Sequence, residues 1–166
     1  MLATAPAYSQ TISADAVRKI ITMRGYKAFY DVSGSLALYP SDNGTGNSLA
    51  LSTTQGYQIN NYLFAGGGLA FDTYFCDGTT RLIVPLFAEV RVNFINKRIS
   101  PFLRVRYGYG FGDLHGLYSN HMLGVRFGMK NHAVNFGLDL TTQADNRDNN
   151  WSMDQDNFGV TVGFEF

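Results

Sequence analysis

Ser119-Asn120-His121 sets a hydroxyl and an imidazole two residues apart, which on a β-strand puts both on one face. Acyl transfer or hydrolysis would also need a carboxylate to orient the imidazole. The nearest candidate, Asp139, falls on the opposite face of its own segment by the same alternation. His115 and His132 stand apart and make no ligand set. Asp145 to Asp148 and Asp154-Gln155-Asp156 offer oxygen ligands but lack the Gly and Glu of a calcium loop, so they read as solvated acidic loop. Gly108, Gly110 and Gly112 alternate with aromatics along a strand and do not open a helix, so they form no phosphate loop. Cys76 is a lone thiol without a disulfide partner. No catalytic residue, metal site or cofactor is therefore expected. The remaining chemistry lies in charges: Lys27, Arg81, Arg91, Arg104, Arg106 and Arg126 against Asp31, Asp72, Glu89, Asp139 and Glu165.

All eleven occupy one phase of a period-2 pattern. In 82–94, Leu82, Val84, Leu86, Ala88, Val90, Val92 and Phe94 alternate with Arg81, Ile83, Pro85, Phe87, Glu89, Arg91 and Asn93. Residues 99–111 repeat the pattern, and so does the last segment, where Phe158, Val160, Val162, Phe164 and Phe166 alternate with Gly, Thr and Glu. Eight strands are predicted, at 25–39, 48–59, 63–75, 82–94, 99–111, 117–130, 133–143 and 157–166. Each is about ten residues or more, the length that crosses a bilayer at a tilt. Tight turns at Asn60-Asn61, Ile95 to Arg98 and Lys130 to His132 alternate with links at 40–47, 76–79, 112–116 and a long one at 144–156. A two-residue turn at Asn60-Asn61 would point Leu49 and Leu51 inward, so a three-residue turn or a bulge is expected there.

Composition bounds the function. The 166 residues are 45% apolar, 14% aromatic and only 16% charged, with 13 basic residues balancing 13 acidic ones. That much apolar surface excludes disorder, and the neutral balance argues against a nucleic-acid partner. The longest apolar run, Leu82 to Ala88, is far too short for a spanning helix.

Alternation alone leaves two barrels open. A soluble, lipocalin-like ligand barrel would bury the apolar face, whereas a membrane barrel inverts it around a polar lumen. The near-balanced charges favour the second reading, because ions buried in a lumen must compensate one another. Small Gly, Ser and Thr on the same face suit the narrow interior of eight strands. A turn centred on Asn96-Lys97 predicts Glu89 opposite Arg104, and one at Asn131-His132 predicts Arg126 diagonal to Asp139. Aromatics should form girdles, with Tyr26, Tyr57, Phe94, Phe127 and Phe166 at the turn end and Tyr39, Phe75, Tyr109 and Phe111 at the loop end.

The terminus Phe158-Gly-Val160-Thr-Val162-Gly-Phe164-Glu-Phe166 resembles the closing strand of bacterial outer-membrane proteins. Residues 25–166 as a whole resemble the small eight-stranded OmpA/OmpX-like, porin-like family, as does Ala88-Glu-Val-Arg-Val-Asn-Phe94 followed by Ile99-Ser-Pro-Phe102. The resemblance implies an all-β, antiparallel, up-and-down transmembrane barrel in the outer membrane of a Gram-negative bacterium, with both termini periplasmic. It implies that Phe164 and Phe166 form the signal read by the barrel-assembly machinery. It further implies contact with outer-membrane lipid and lipopolysaccharide, and an extracellular partner reached through the loops, 144–156 with Trp151 above all. Some barrels of this kind acylate or deacylate lipid A with His and Ser. The order Ser119-x-His121 departs from the His-x-Ser of the deacylases, so an architectural role for a closed, monomeric barrel is expected. Residues 1–12 read as a signal-peptide remnant or flexible terminus before a single domain, 13–166, in which Ser13 could cap a short helix with Val17, Ile20 and Ile21 on one stripe.

Overall fold

A computed structural model describes residues 24–38, 46–76, 79–129, 132–145 and 152–166. The expected N-terminal helix, the signal remnant, Tyr39 and Trp151 lie outside the described residues. Eight strands form: β1 (Gly25–Ala37), β2 (Asn47–Gln58), β3 (Leu63–Cys76), β4 (Thr79–Asn93), β5 (Ile99–Gly112), β6 (Gly116–Gly128), β7 (Ala133–Asp145) and β8 (Ser152–Glu165). Each pairs antiparallel with its sequence neighbour, and β1 pairs with β8 to close the barrel. Closure leaves no open sheet edge within the barrel, which a membrane demands.

The ladder sets the barrel's shape. Following register partners once round, Gly25, Gln58, Phe64, Arg91, Arg104, Met122, Asp139 and Gly159 lead back to Ser35, a shift of ten residues from 25 to 35 along β1. At about 3.3 Å per residue and about 4.8 Å between strands, that shift tilts the strands by about 41° and gives a radius of about 8 Å. Each residue then climbs about 2.5 Å, so about ten residues cross an apolar band about 25 Å tall.

The apolar phase faces outward. Leu36, Leu51, Leu86, Leu123, Leu138, Val160 and Phe164 are all exposed, while Asp31, Glu89, Arg91, Arg104 and Arg106 are buried. This overturns the soluble-barrel alternative, in which the same residues would exchange places. The girdle positions Tyr26, Tyr57, Phe94, Phe127 and Phe166 are exposed at the turn end, with Phe75, Tyr109 and Phe111 at the other.

The first turn has three residues. Ile59 N–H donates to Leu63 O at 2.8 Å, and Asn60 Oδ1 accepts the N–H groups of Tyr62 and Leu63, both at 2.8 Å. Tyr57 therefore pairs with Ala65, and Leu49 and Leu51 face out. Two other registers differ from the sequence expectation, each by two residues. Glu89 lies opposite Arg106 and not Arg104, because Phe94 pairs with Pro101 and moves the hairpin centre one residue on. Arg126 lies opposite Asn135, because Met129 and His132 exchange both backbone hydrogen bonds and move that centre one residue back. A two-residue slip keeps every side chain on its face, so alternation alone does not resist it. The last hairpin is also longer than expected: β7 and β8 pair up to Asp145 and Ser152, which shortens the 144–156 link. At the end of β5, Gly112 takes a φ of 125°, and Asp113 Oδ2 then accepts the Leu82 N–H at 2.8 Å.

Candidate functional site

Alternation on all eight strands delivers one set of side chains to a common lumen, and the eleven predicted charges all belong to it. Near the turn end, Glu165 is held from two sides. Arg126 Nε and Nη2 donate to its two oxygens at 2.6 and 2.9 Å, and Lys27 Nζ lies 3.0 Å away. Arg126 therefore serves Glu165 and not Asp139. A parallel fork onto a carboxylate is the strongest geometry available to such a pair.

Above this lies a guanidinium held by rings. Arg91 sits over Phe29 at 3.8 Å and Phe102 at 4.8 Å. Its Nη2 is 3.1 Å from Glu89 Oε1, but that contact lacks the alignment of a hydrogen bond, and none of the three guanidinium nitrogens has a hydrogen-bond partner. Coulomb attraction and ring quadrupoles take the place of directed bonds here.

The centre of the lumen is a network. Arg106 donates from Nε to Glu89 Oε2 at 2.7 Å, from Nη2 to Asp31 Oδ2 at 2.6 Å, and from Nη1 to Ser52 Oγ at 3.1 Å. Thr54 Oγ1 donates to Glu89 Oε2 at 3.0 Å. Arg104 donates to Asp31 Oδ2 at 2.9 Å and to Asn120 Oδ1 at 3.0 Å. Asn120 passes the connection on, donating to Asp139 Oδ2 at 3.0 Å and Thr141 Oγ1 at 2.8 Å. Thr161 Oγ1 completes the Asp139 shell at 2.8 Å. Nine of the eleven charges thus fall into linked groups. Arg81 and Asp72 do not: Arg81 lies opposite Tyr74 on the inner face, and neither makes an ion pair among the described residues.

Sequence reasoning put Phe87 and small residues on the inner face but missed that particular glycines make room for particular rings. Phe87 lies in register between Gly68 on β3 and Gly108 on β5. A Cβ on Gly68 would meet Phe87 Cε2 at 2.9 Å. Phe102 lies opposite Gly124, where an added Cβ would come within 2.7 Å of its Cζ. Gly163 likewise leaves the space that Asp31 Oδ1 occupies. The inner positions of the strands carried this signal, because large rings and glycines alternate across neighbouring strands. Asn120 and Thr54 were also missed, and parity would have found both, since Asn120 is in phase with Arg126 on β6 and Thr54 is out of phase with Leu49 and Leu51 on β2.

Ser119 and His121 lie on the outer face, with His121 exposed and Asp139 turned inward. Tyr107 Oη is 3.3 Å from His121 Nε2. The outward carboxylate of this region, Asp156, accepts from Thr142 at 2.8 Å, and Thr142 is the register partner of Ser119. No carboxylate is hydrogen-bonded to His121 among the described residues, so the orienting contact of a triad is not made. No group of three His, Cys, Asp or Glu side chains suited to a metal occurs among the described residues.

An apolar exterior wrapped around an ion-paired interior, in eight closed antiparallel strands, defines a transmembrane β-barrel. Solved structures agree with that class. The chain is similar to the Neisserial surface protein A (NspA), with a TM-score of 0.63 and 12% identity over 84% of this chain and 94% of that one. It is similar to a de novo designed transmembrane β-barrel, with a TM-score of 0.53 and 13% identity over 84% of this chain and 93% of the other. It is also similar to the N-terminal β-barrel domain of Pseudomonas aeruginosa OprF, at 0.51 and 12% over 86% and 98%. Identities this low speak for the fold alone. No protein-family model matches the chain, and neither does any curated protein sequence.

Proposed function

We propose that this chain is an integral outer-membrane barrel with a sealed lumen, working architecturally or through its external loops in adhesion, surface interaction or envelope integrity. The observation that carries this reading is the plug: the Lys27–Glu165–Arg126 group, the Arg91–aromatic stack and the Asp31–Arg104–Arg106–Glu89 network follow one another along the lumen. The nine linked charges then act as structure, replacing a hydrophobic core. The turns and both termini face the periplasm on this reading, and the links at the other end face outward to lipopolysaccharide and a surface partner, with those joining β1 to β2 and β7 to β8 the longest. Phe164 and Phe166 would be read by the assembly machinery; both are exposed, and Phe166 closes the ladder onto Ala28 at 2.9 and 3.2 Å. Planar-bilayer recording tests the plug. The wild type should show no steady porin-sized conductance, and a stable open level of that size would overturn a sealed lumen.

A further inference from the structure

Between the central network and the loop end, β1, β2, β3, β6 and β7 enclose a polar cavity with room for a water-sized guest. Arg106 faces it from the network, and its lining includes Ser33, Ser48, Ser52, Asp72, Asn120 and Asp139. Asp72 is 3% exposed, and its Oδ1 has no hydrogen-bond partner. A buried carboxylate with an oxygen left unpaired is costly for a fold to hold.

The cations around it are committed elsewhere. Arg106 is bound to Glu89 and Asp31, and Arg104 to Asp31 and Asn120. Arg81, one step nearer the loops on the adjacent strand, makes no ion pair with Asp72. Asp139, the other carboxylate lining the cavity, is served by neutral Asn120, Thr141 and Thr161. The cavity therefore holds two carboxylates against a single arginine that is already engaged. Ser33, Ser48, Ala50 and Ser52 on its β1–β2 side are only half-buried.

We infer that Asp72 and the hydroxyls around it form a binding site for one small, hard monovalent cation of the sodium type. The donors are oxygens, which select hard ions over soft ones. A single free carboxylate with neutral oxygens suits one positive charge, whereas a tightly held divalent ion would want more anionic ligands. The cation would neutralise Asp72 without disturbing the arginine network beside it.

The test uses the whole barrel refolded in detergent. Thermal midpoints are compared at pH 8 and equal ionic strength in sodium, potassium, magnesium, calcium and choline chlorides. The wild type should melt a few degrees higher in sodium than in choline, since a ligand bound to the folded state raises its midpoint. Asp72→Asn should lose that difference, and Arg81→Gln should keep it. A wild type indifferent to sodium, an Asp72→Asn barrel with undiminished dependence, or a sodium effect seen only in Arg81→Gln would each overturn the proposal. A preference for calcium or magnesium over sodium would also overturn it. If Asp72→Asn does not fold, ²³Na line broadening by the wild type decides. Broadening that excess potassium reverses and excess choline does not supports the site, and no broadening sinks it.

Discussion

At the scale of single residues, the lumen shows why buried ions come in groups. Glu89 takes Arg106 and Thr54 on one oxygen and faces Arg91 with the other. Glu89→Ala would leave Arg106 with Asp31 as its one carboxylate partner and Arg91 with only its rings. A loss of about 3–5 kcal/mol is expected, because the stranded charges stay buried. Lys27→Met removes the partly exposed member of the turn-end group while the Arg126 fork on Glu165 survives. Its cost should be about 1 kcal/mol, because Glu165 keeps a charged partner on both oxygens. Urea unfolding in one detergent measures both; equal losses would mean that the network carries no special weight. The charged residues themselves were legible from parity in the sequence. Their partners were not, because Arg104 and Arg126 bond across the lumen to Asp31 and Glu165, strands away in sequence.

Strand pairs set the next scale, where glycines decide what fits. At Gly108 an added Cβ would meet Leu86 O and come within 2.6 Å of Phe87 Cα, both backbone atoms that cannot swing aside. Gly108→Ala should cost about 1–3 kcal/mol through overpacking. At Gly34 nothing lies within 4 Å of the same atom, and φ there is ordinary. Gly34→Ala should be neutral or stabilise by about 0.4–1 kcal/mol, by restricting the unfolded chain. The opposite order of the two variants would contradict the packing described here. The closing strand offers another check: Phe166→Ser keeps the backbone pairing to Ala28 but removes the ring stacked near Tyr30 and His132. If Phe166 belongs to an assembly signal, this variant should insert poorly in cells yet refold well in detergent. Equal failure in both would make its role purely one of stability. Alternation set the parity of every strand, and it also exposed the three-residue turn at Asn60 through Leu49 and Leu51. Turn lengths at 94–98 and 129–132 stayed out of reach, since a shift of two residues changes no face.

For the molecule as a whole, low charge and the lack of a long apolar run have one explanation. No helix among the described residues is long and apolar enough to cross a membrane, and a strand barrel crosses with none. Its apolar residues are spread over alternate positions and meet only on the outer surface, which the closed ladder assembles. Depth-dependent quenching tests that inside-out arrangement most directly. In a Trp151→Phe background, which removes the sole tryptophan, a probe is placed at Leu123, an outward residue midway along β6. A second probe replaces Phe127 near the turn end. In vesicles of chain-brominated lipid, Leu123→Trp should be quenched most by deep bromines and Phe127→Trp by shallow ones. A Leu123→Trp barrel that is not quenched, or that stays folded and monomeric in buffer without detergent, would contradict a barrel whose solvent is lipid.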